Sequence, residues 1–554
     1  MNRTAGVTSR APWLLLALCL VLGASFRLYH LDRQSFWYDE MFTRFWATGR
    51  SWSEVRDSIP TVESSASEVR GVLALPAARG PSDVIRSIGR DDPQHTPVYY
   101  LIAHWWIRVF GNSVFALRAL SVLIGLLTLP CVYWLCRELA LSERTAQVAT
   151  ALASVSPFFV IYSQEARQYG LYGAEVLVAS ALLLRAKRRE QVRDWMYYGA
   201  ALIAGLYTHL LFATVVGAHA LFVSGSRRHS RVKASTSDIG NGNPISMFFS
   251  ARRLVSFAAT AAVAGIALLP WLSFLSAHSA RAASHLNWST ERVSPPYLFG
   301  MWAFNYSSLF VDANHSLRFI EGRDLGFFLD IGFRCLALLL VVMAVWFVAR
   351  RVVARARWFI LALIFGPLCA LAIPDLVFGG IRSGGGHRYL FPSYIGVVLA
   401  VSCLLGEGQM LAQWARIRAT ALFAVIACAL ASLLVHADAR TWWTKPVGYH
   451  LPRLAQIINR SADPLVISSA SVELLTMSTL LDDKVRVLAL RDTAGVAAIP
   501  ETSLLGRHEH EGQAGYSTVF VLGDRREFLA RLRADARFRL VSADRTGQLW
   551  ELRR

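Results

Sequence analysis

A succession of long apolar runs between residues 11 and 436 constrains this chain more than any other feature. They lie near 11–28, 114–136, 145–162, 168–185, 195–208, 210–225, 254–275, 326–349, 358–374, 390–406 and 419–436. A helix needs about 20 apolar residues to cross a bilayer, and inside hydrocarbon it satisfies its own backbone polar groups. The chain therefore reads as a polytopic α-helical membrane protein with about 11 transmembrane helices. A composition of 54% hydrophobic and 17% charged residues agrees, and it excludes a disordered, fibrous or singly anchored protein.

The formal charge of +19 would suggest a nucleic-acid partner in a soluble chain. Here the basic residues cluster between apolar runs, so no nucleic acid is expected. The clusters are the N-terminus, Arg137 with Arg144, 185–193, 227–253, 350–357 and Arg416 with Arg418. Placing them all on the cytoplasmic side gives a consistent topology for an inner or plasma membrane. The N-terminus is then cytoplasmic and, the count being odd, the C-terminal part extracytoplasmic. The first run reads as an uncleaved span, although Gly23 to Ser25 leave a cleaved signal peptide as the alternative. The seven cysteines fall in apolar runs without a CxxC pair, so neither a disulfide framework nor a metal finger is expected.

The run "TPVYYLIAHWWIRVFG" (96–111) is short and rich in Trp and Tyr, which favour headgroups. Counting it as a span would invert every later basic loop. It is expected as a helix on the outer surface, with Thr96 as N-cap and Pro97 at its first position. That leaves a first outer loop over 29–113 and a membrane domain over 1–440. Residues 232–246 read as a flexible linker. Residues 441–554 read as a small extracytoplasmic α/β domain, with strands in "PLVIS", "KVRVLAL", "STVFVLG" and "FRLVSADRTGQLWEL". Helices are expected there near 450–460, 470–481 and 525–534.

Several charged groups interrupt this apolar pattern. In "FWYDEMFTRFWATG", Asp39 and Glu40 open a helix whose Met41, Phe42, Phe45 and Trp46 share one face, as in a helix lying on a membrane. A carboxylate at a helix N-terminus tends to stay ionised and can serve as general base to a hydroxyl; the plainer alternative is that Asp39 only caps the helix. In "GRDDPQHTPVYY", Asp91, Asp92 and His95 offer acid/base or cation-binding groups, or simply solvated ones. In "SPFFVIYSQEARQYGLY", Glu165 and Arg167 sit at the outer end of an apolar hairpin. Arg167 presents a planar donor fork suited to phosphate, unless it only snorkels to the headgroups. In "GGIRSGGGHRYLFP", the glycines permit a backbone nest ahead of His387, Arg388 and Tyr389, or equally a flexible outer loop with an interfacial arginine.

Together with "FALRALSVLIGLLTLP" and "LPW", these segments resemble the GT-C membrane glycosyltransferases, in the branch of the protein O-mannosyltransferases and the lipid A aminoarabinose transferase. The likeness covers roughly residues 12 to 440 and is strongest to about 220. It implies inverting transfer of a sugar from a polyprenyl-phosphate donor to a hydroxyl acceptor on the non-cytoplasmic face. Asp39 matches the acidic residue of the first loop and Arg167 the arginine near the donor phosphate, with Arg388 a further match. The usual HPP is here His95, Thr96 and Pro97.

On this reading the catalytic candidates are Asp39, Glu40 and Asp92. The phosphate-binding candidates are Arg167, Arg388 and His387, with His95, Glu165 and Tyr389 in support. The partners are the lipid-linked sugar, a hydroxyl acceptor and the bilayer. No cofactor is assigned: neither aspartate pair has ligand spacing that selects an ion, which leaves a divalent metal open. The competing class is a flippase or transporter. It would need ionisable groups along a path at mid-membrane depth, for which only Glu175, His219, Asp330 and Arg334 are available, and there is no internal repeat to support it.

Overall fold

All eleven apolar runs fold as helix in the computed structural model of the protein. It describes residues 11–76, 78–237, 244–315, 325–406, 412–491, 516, 518–523, 532–534, 538–543 and 548–552. Among these, eight helices are long and apolar enough to cross a membrane. A ninth span results if Glu143–Val155 and Pro157–Ser163, bent by 57°, count as one. The expected count of eleven is not reached, because Val192–Thr208 has 17 residues and the apolar part of the next helix is only Phe212–Gly225. The protein is thus a mostly helical multi-pass membrane protein with a small C-terminal sheet. The expected linker at 232–246 is helical to 237 and again from 244. Its centre, 238–243, lies outside the described residues, as does most of the expected helix near 525–534.

The chain divides into two compact units. One comprises Met1–Tyr29, Asp92–Tyr99 and Arg118–Ala437; the other comprises His30–Asp91, Tyr100–Leu117 and Asp438–Arg554.

The helical unit turns on the break at Ser156–Pro157. Pro157 has no N–H to give to the carbonyl of Ala153, four residues earlier, so the helix stops and restarts with Pro157 in its first turn. Arg27, fully buried, closes the gap. Its guanidinium donates to Ala153 O at 3.3 Å, Ser154 O at 2.6 Å, Gly23 O at 3.0 Å and the Ser163 hydroxyl at 3.2 Å. A Cβ at residue 23 would collide with Ser154, so Gly23 permits the close approach. This locks the end of Ala11–Leu28 against the bent pair. Gln164 then donates to Phe26 O at 2.8 Å and accepts from His436 Nε2 at 2.8 Å, which fixes where the irregular stretch 164–168 begins.

The second unit carries a six-stranded sheet. Its strands are β1 (Ser64–Ser65), β2 (Pro464–Ser469), β3 (Arg486–Leu490), β4 (Thr518–Gly523), β5 (Phe538–Ala543) and β6 (Gln548–Leu552), in the order β1-β3-β2-β4-β6-β5. β3, β2 and β4 are parallel, while β6, β5 and β1 pair antiparallel. The alternation in "KVRVLAL" buries Val485, Val487 and Ala489, the period expected of a strand. One face packs Leu465, Ile467, Val519, Val521, Phe538 and Trp550 into a core. The edge strand β1 comes from the first loop, pairing Ser64 with Val487 and Ser65 with Arg486.

Candidate functional site

In the helical unit the chain places three of the expected residues in one hydrogen-bonded line. The turn after Asp91 is tied down by His95 N–H on Asp92 O at 2.9 Å and by Trp271 Nε1–H on Pro93 O at 2.9 Å. His95 Nδ1 lies 2.9 Å from Asp92 Oδ2, and His95 Nε2 lies 2.8 Å from Arg167 Nη2. A guanidinium only donates, so Nε2 is the accepting nitrogen and the ring proton sits on Nδ1, facing the carboxylate. The imidazole thereby passes the aspartate's orientation on to the arginine. His285 Nδ1 approaches the other Asp92 oxygen at 3.7 Å. Burial pushes the Asp92 pKa up, but His95, His285 and Arg167 together outweigh it and hold the carboxyl below its usual range.

Arg167 is only 2% exposed, so it does not snorkel. Its backbone N–H bonds Glu165 O at 2.7 Å across the tight turn after Gln164, and Glu165 is itself buried. Arg388 joins from the short helical turn His387–Leu390. The guanidinium carbons of Arg167 and Arg388 stand 5.9 and 5.2 Å from the Tyr169 ring centre. Two cations thus flank one aromatic ring. Tyr389 and Tyr169 each pack against His209, at 6.0 and 5.8 Å, and Tyr172 stacks on it at 5.0 Å. His387 faces elsewhere: it packs among Phe158, Tyr162 and Tyr394, with Nε2 2.9 Å from the Ser308 hydroxyl.

Three local expectations are corrected. Thr96 does not cap the helix after it, which begins at Val98; its hydroxyl is buried without a hydrogen-bond partner among the described residues. The glycine-rich loop does not form an open nest. It wraps the carboxylate of Asp375, which accepts from Ser383 N and Ser383 Oγ at 2.7 Å each and from Arg382 at 3.0 Å. Asp91 and Asp92 part company: Asp91 is structural, accepting from Trp52 N at 2.6 Å and Trp46 Nε1 at 3.2 Å.

In the second unit, Asp39 and Glu40 lie in the first turn of Tyr38–Ala47, as expected. Glu40 supplies the cap, with Oε2 accepting from Trp37 N at 3.4 Å, and Lys445 Nζ is 3.9 Å away. Glu40 is fully buried, whereas Asp39 is half-buried. The apolar face of this helix does not lie on lipid, because Met41, Phe42, Phe45 and Trp46 are all buried within the protein. Val98–Phe110 does keep an exposed apolar face, in Ile102, Trp105, Val109 and Phe110. Among the described residues no group of three or more His, Cys, Asp or Glu is arranged to hold a metal ion.

The spans define a multi-pass membrane protein, and Arg167 and Arg388 gather beside three tyrosines in its helical unit. Residues 94–237 match the family of dolichyl-phosphate-mannose-protein mannosyltransferases, which bears out the likeness read from the motifs over that stretch. ArnT from Cupriavidus metallidurans, in its crystal structure bound to undecaprenyl phosphate, is similar at 14% identity over 98% of each chain, with a TM-score of 0.48. The Archaeoglobus fulgidus oligosaccharyltransferase tethered to an acceptor peptide shares 12% identity over 93% of this chain and 69% of its own, with a TM-score of 0.45. For AglB of the same organism, in complex with an inhibitory peptide and a dolichol-phosphate, the values are 11%, 84%, 64% and 0.42. No curated protein matches the chain.

Proposed function

We propose that the protein is a glycosyltransferase that moves a sugar from a polyprenyl-phosphate donor to a hydroxyl acceptor, with inversion, on the extracytoplasmic face of the membrane. The observation that carries this is the pair of guanidinium groups around Tyr169, one of them oriented by His95 and Asp92. The family matched over residues 94–237 is named for a lipid-phosphate mannose donor, which agrees. The acceptor oxygen attacks the anomeric carbon as the bond to the phosphate oxygen breaks. The acceptor proton passes to a base, for which the motif likeness assigns Asp39, and the lipid phosphate leaves with an added negative charge. Preorganised arginines stabilise that charge as it develops, and a positioned base contributes about 10²- to 10⁴-fold. The C-terminal sheet lies on the same, extracytoplasmic side.

A flippase reading fares worse. His219 is bonded to Ser180 at 3.1 Å and to Tyr198 at 3.0 Å, and Asp330 is paired with Arg334 at 2.8 Å. Glu175 accepts from the Thr208 hydroxyl at 2.8 Å, so all four mid-membrane candidates are engaged with protein partners. Incubating the purified protein with polyprenyl-phosphate sugars and a membrane extract as acceptor source tests the proposal. Wild type should release lipid phosphate, and Arg167→Lys should lose most of that activity, including kcat, because an ammonium cannot reproduce the fork. Full activity of the Lys variant at limiting and saturating donor would remove Arg167 from the site.

A further inference from the structure

Val192–Thr208 is shorter than its neighbour Tyr169–Arg189, to which only Glu190 and Gln191 connect it. At its far end the Thr208 hydroxyl donates to Glu175 Oε1 at 2.8 Å. Glu175 lies six residues into its helix, about 9 Å below Tyr169 at 1.5 Å per residue. The turn at His209 therefore begins beside Glu175, further along the helix than Tyr169.

What sits there is polar. Glu175 Oε2 is buried and has no hydrogen-bond partner among the described residues. His209 Nδ1 accepts from Leu211 N–H at 3.1 Å, which leaves its other nitrogen as a donor. Tyr169, Tyr172 and Tyr389 surround that imidazole. A carboxylate oxygen left without a partner inside a membrane domain is costly, and Thr208 satisfies only half of this group.

We propose that Glu175 determines sugar specificity, its Oε2 forming a hydrogen bond with a polar group on the edge of the donor sugar remote from the phosphate. This rests on the donor reading above. On this reading the arginines take the phosphate, and Glu175 and His209 are the hydrogen-bonding groups left for the sugar beside the tyrosine rings. A polar floor group that must be paired discriminates strongly against a ligand lacking the matching group.

The test measures equilibrium binding to the full-length protein in nanodiscs. The ligands are bare polyprenyl phosphate and a panel of polyprenyl-phosphate pyranoses that includes mannose. For Glu175→Ala the best sugar-bearing donor should weaken about tenfold or more, while bare polyprenyl phosphate stays within about twofold. Glu175→Gln keeps the size, and should lose part of the discrimination without losing thermal stability. Thr208→Val removes only the bond to the other oxygen and should leave the discrimination intact. Equal loss for both kinds of ligand, or no loss for either, overturns the assignment. Failure of the wild type to bind bare polyprenyl phosphate is a distinct result, which refutes the donor reading itself.

Discussion

If His95 works by aiming Arg167, its removal must matter only while an arginine is there to aim. His95→Ala deletes the acceptor 2.8 Å from Arg167 Nη2 and leaves Asp92 without its nearest donor, at 2.9 Å. A hydrogen bond to a charged group contributes about 1.5–3 kcal/mol net. At ~1.4 kcal/mol per decade, the loss in kcat/KM should be about 10- to 150-fold. The assay is lipid-phosphate release by purified protein across a double-mutant cycle with Arg167→Lys. Because the lysine ammonium cannot take up the same fork, adding His95→Ala to Arg167→Lys should cost less than about threefold. The coupling should then be of the order of 1–2 kcal/mol, as for residues in one network. Fully additive losses would show that His95 acts independently of Arg167 and would refute the relay.

The remaining predictions concern the same elements. The Asp92 pKa is depressed in the folded protein, so its carboxylate, and the hydrogen bond it accepts from His95, is complete above the usual carboxylate range and is lost as pH falls through the lowered value; activity should fall on that acid limb, and Asp92→Asn should be low at all pH values without it. Asp39→Asn should lose most activity with little change in thermal stability, whereas Glu40→Gln should lower stability by about 1–3 kcal/mol because the buried Lys445 loses its counter-charge; near wild-type turnover of the Asn variant would dismiss Asp39 as the base. On a cysteine-free background, a cysteine at Arg193 should be shielded from an impermeant thiol reagent in intact cells and one at Lys484 should label; the reverse pattern would invert the topology.

Much of the membrane architecture was legible because apolar length is a local property. The span count was overestimated for a physical reason: Val192–Thr208 and Phe212–Gly225 are apolar enough to look like spans but too short to be full ones. Asp92, His95 and Arg167 each stood out in their own motif, yet nothing in the sequence joined them. Their meeting depends on the bend at Pro157 and on Arg27 healing it. Adjacent Asp91 and Asp92 could not be told apart, because their partners lie on different elements. Glu40 was read as a reacting group, while its burial and capping role belong to the folded helix. Strand β1, two serines in a loop, carried no strand signal at all.

The central claim is that a lipid phosphate is the leaving group and a hydroxyl the acceptor. It is tested most directly by supplying the purified protein with anomerically defined polyprenyl-phosphate sugars and an acceptor extract, and analysing both products by NMR. The account predicts that one donor is consumed, giving equal amounts of free polyprenyl phosphate and a glycoside of opposite anomeric configuration. It also predicts that Arg167→Lys lowers both products together. A glycoside of retained configuration, or transport of intact donor across liposomes without cleavage, would contradict it.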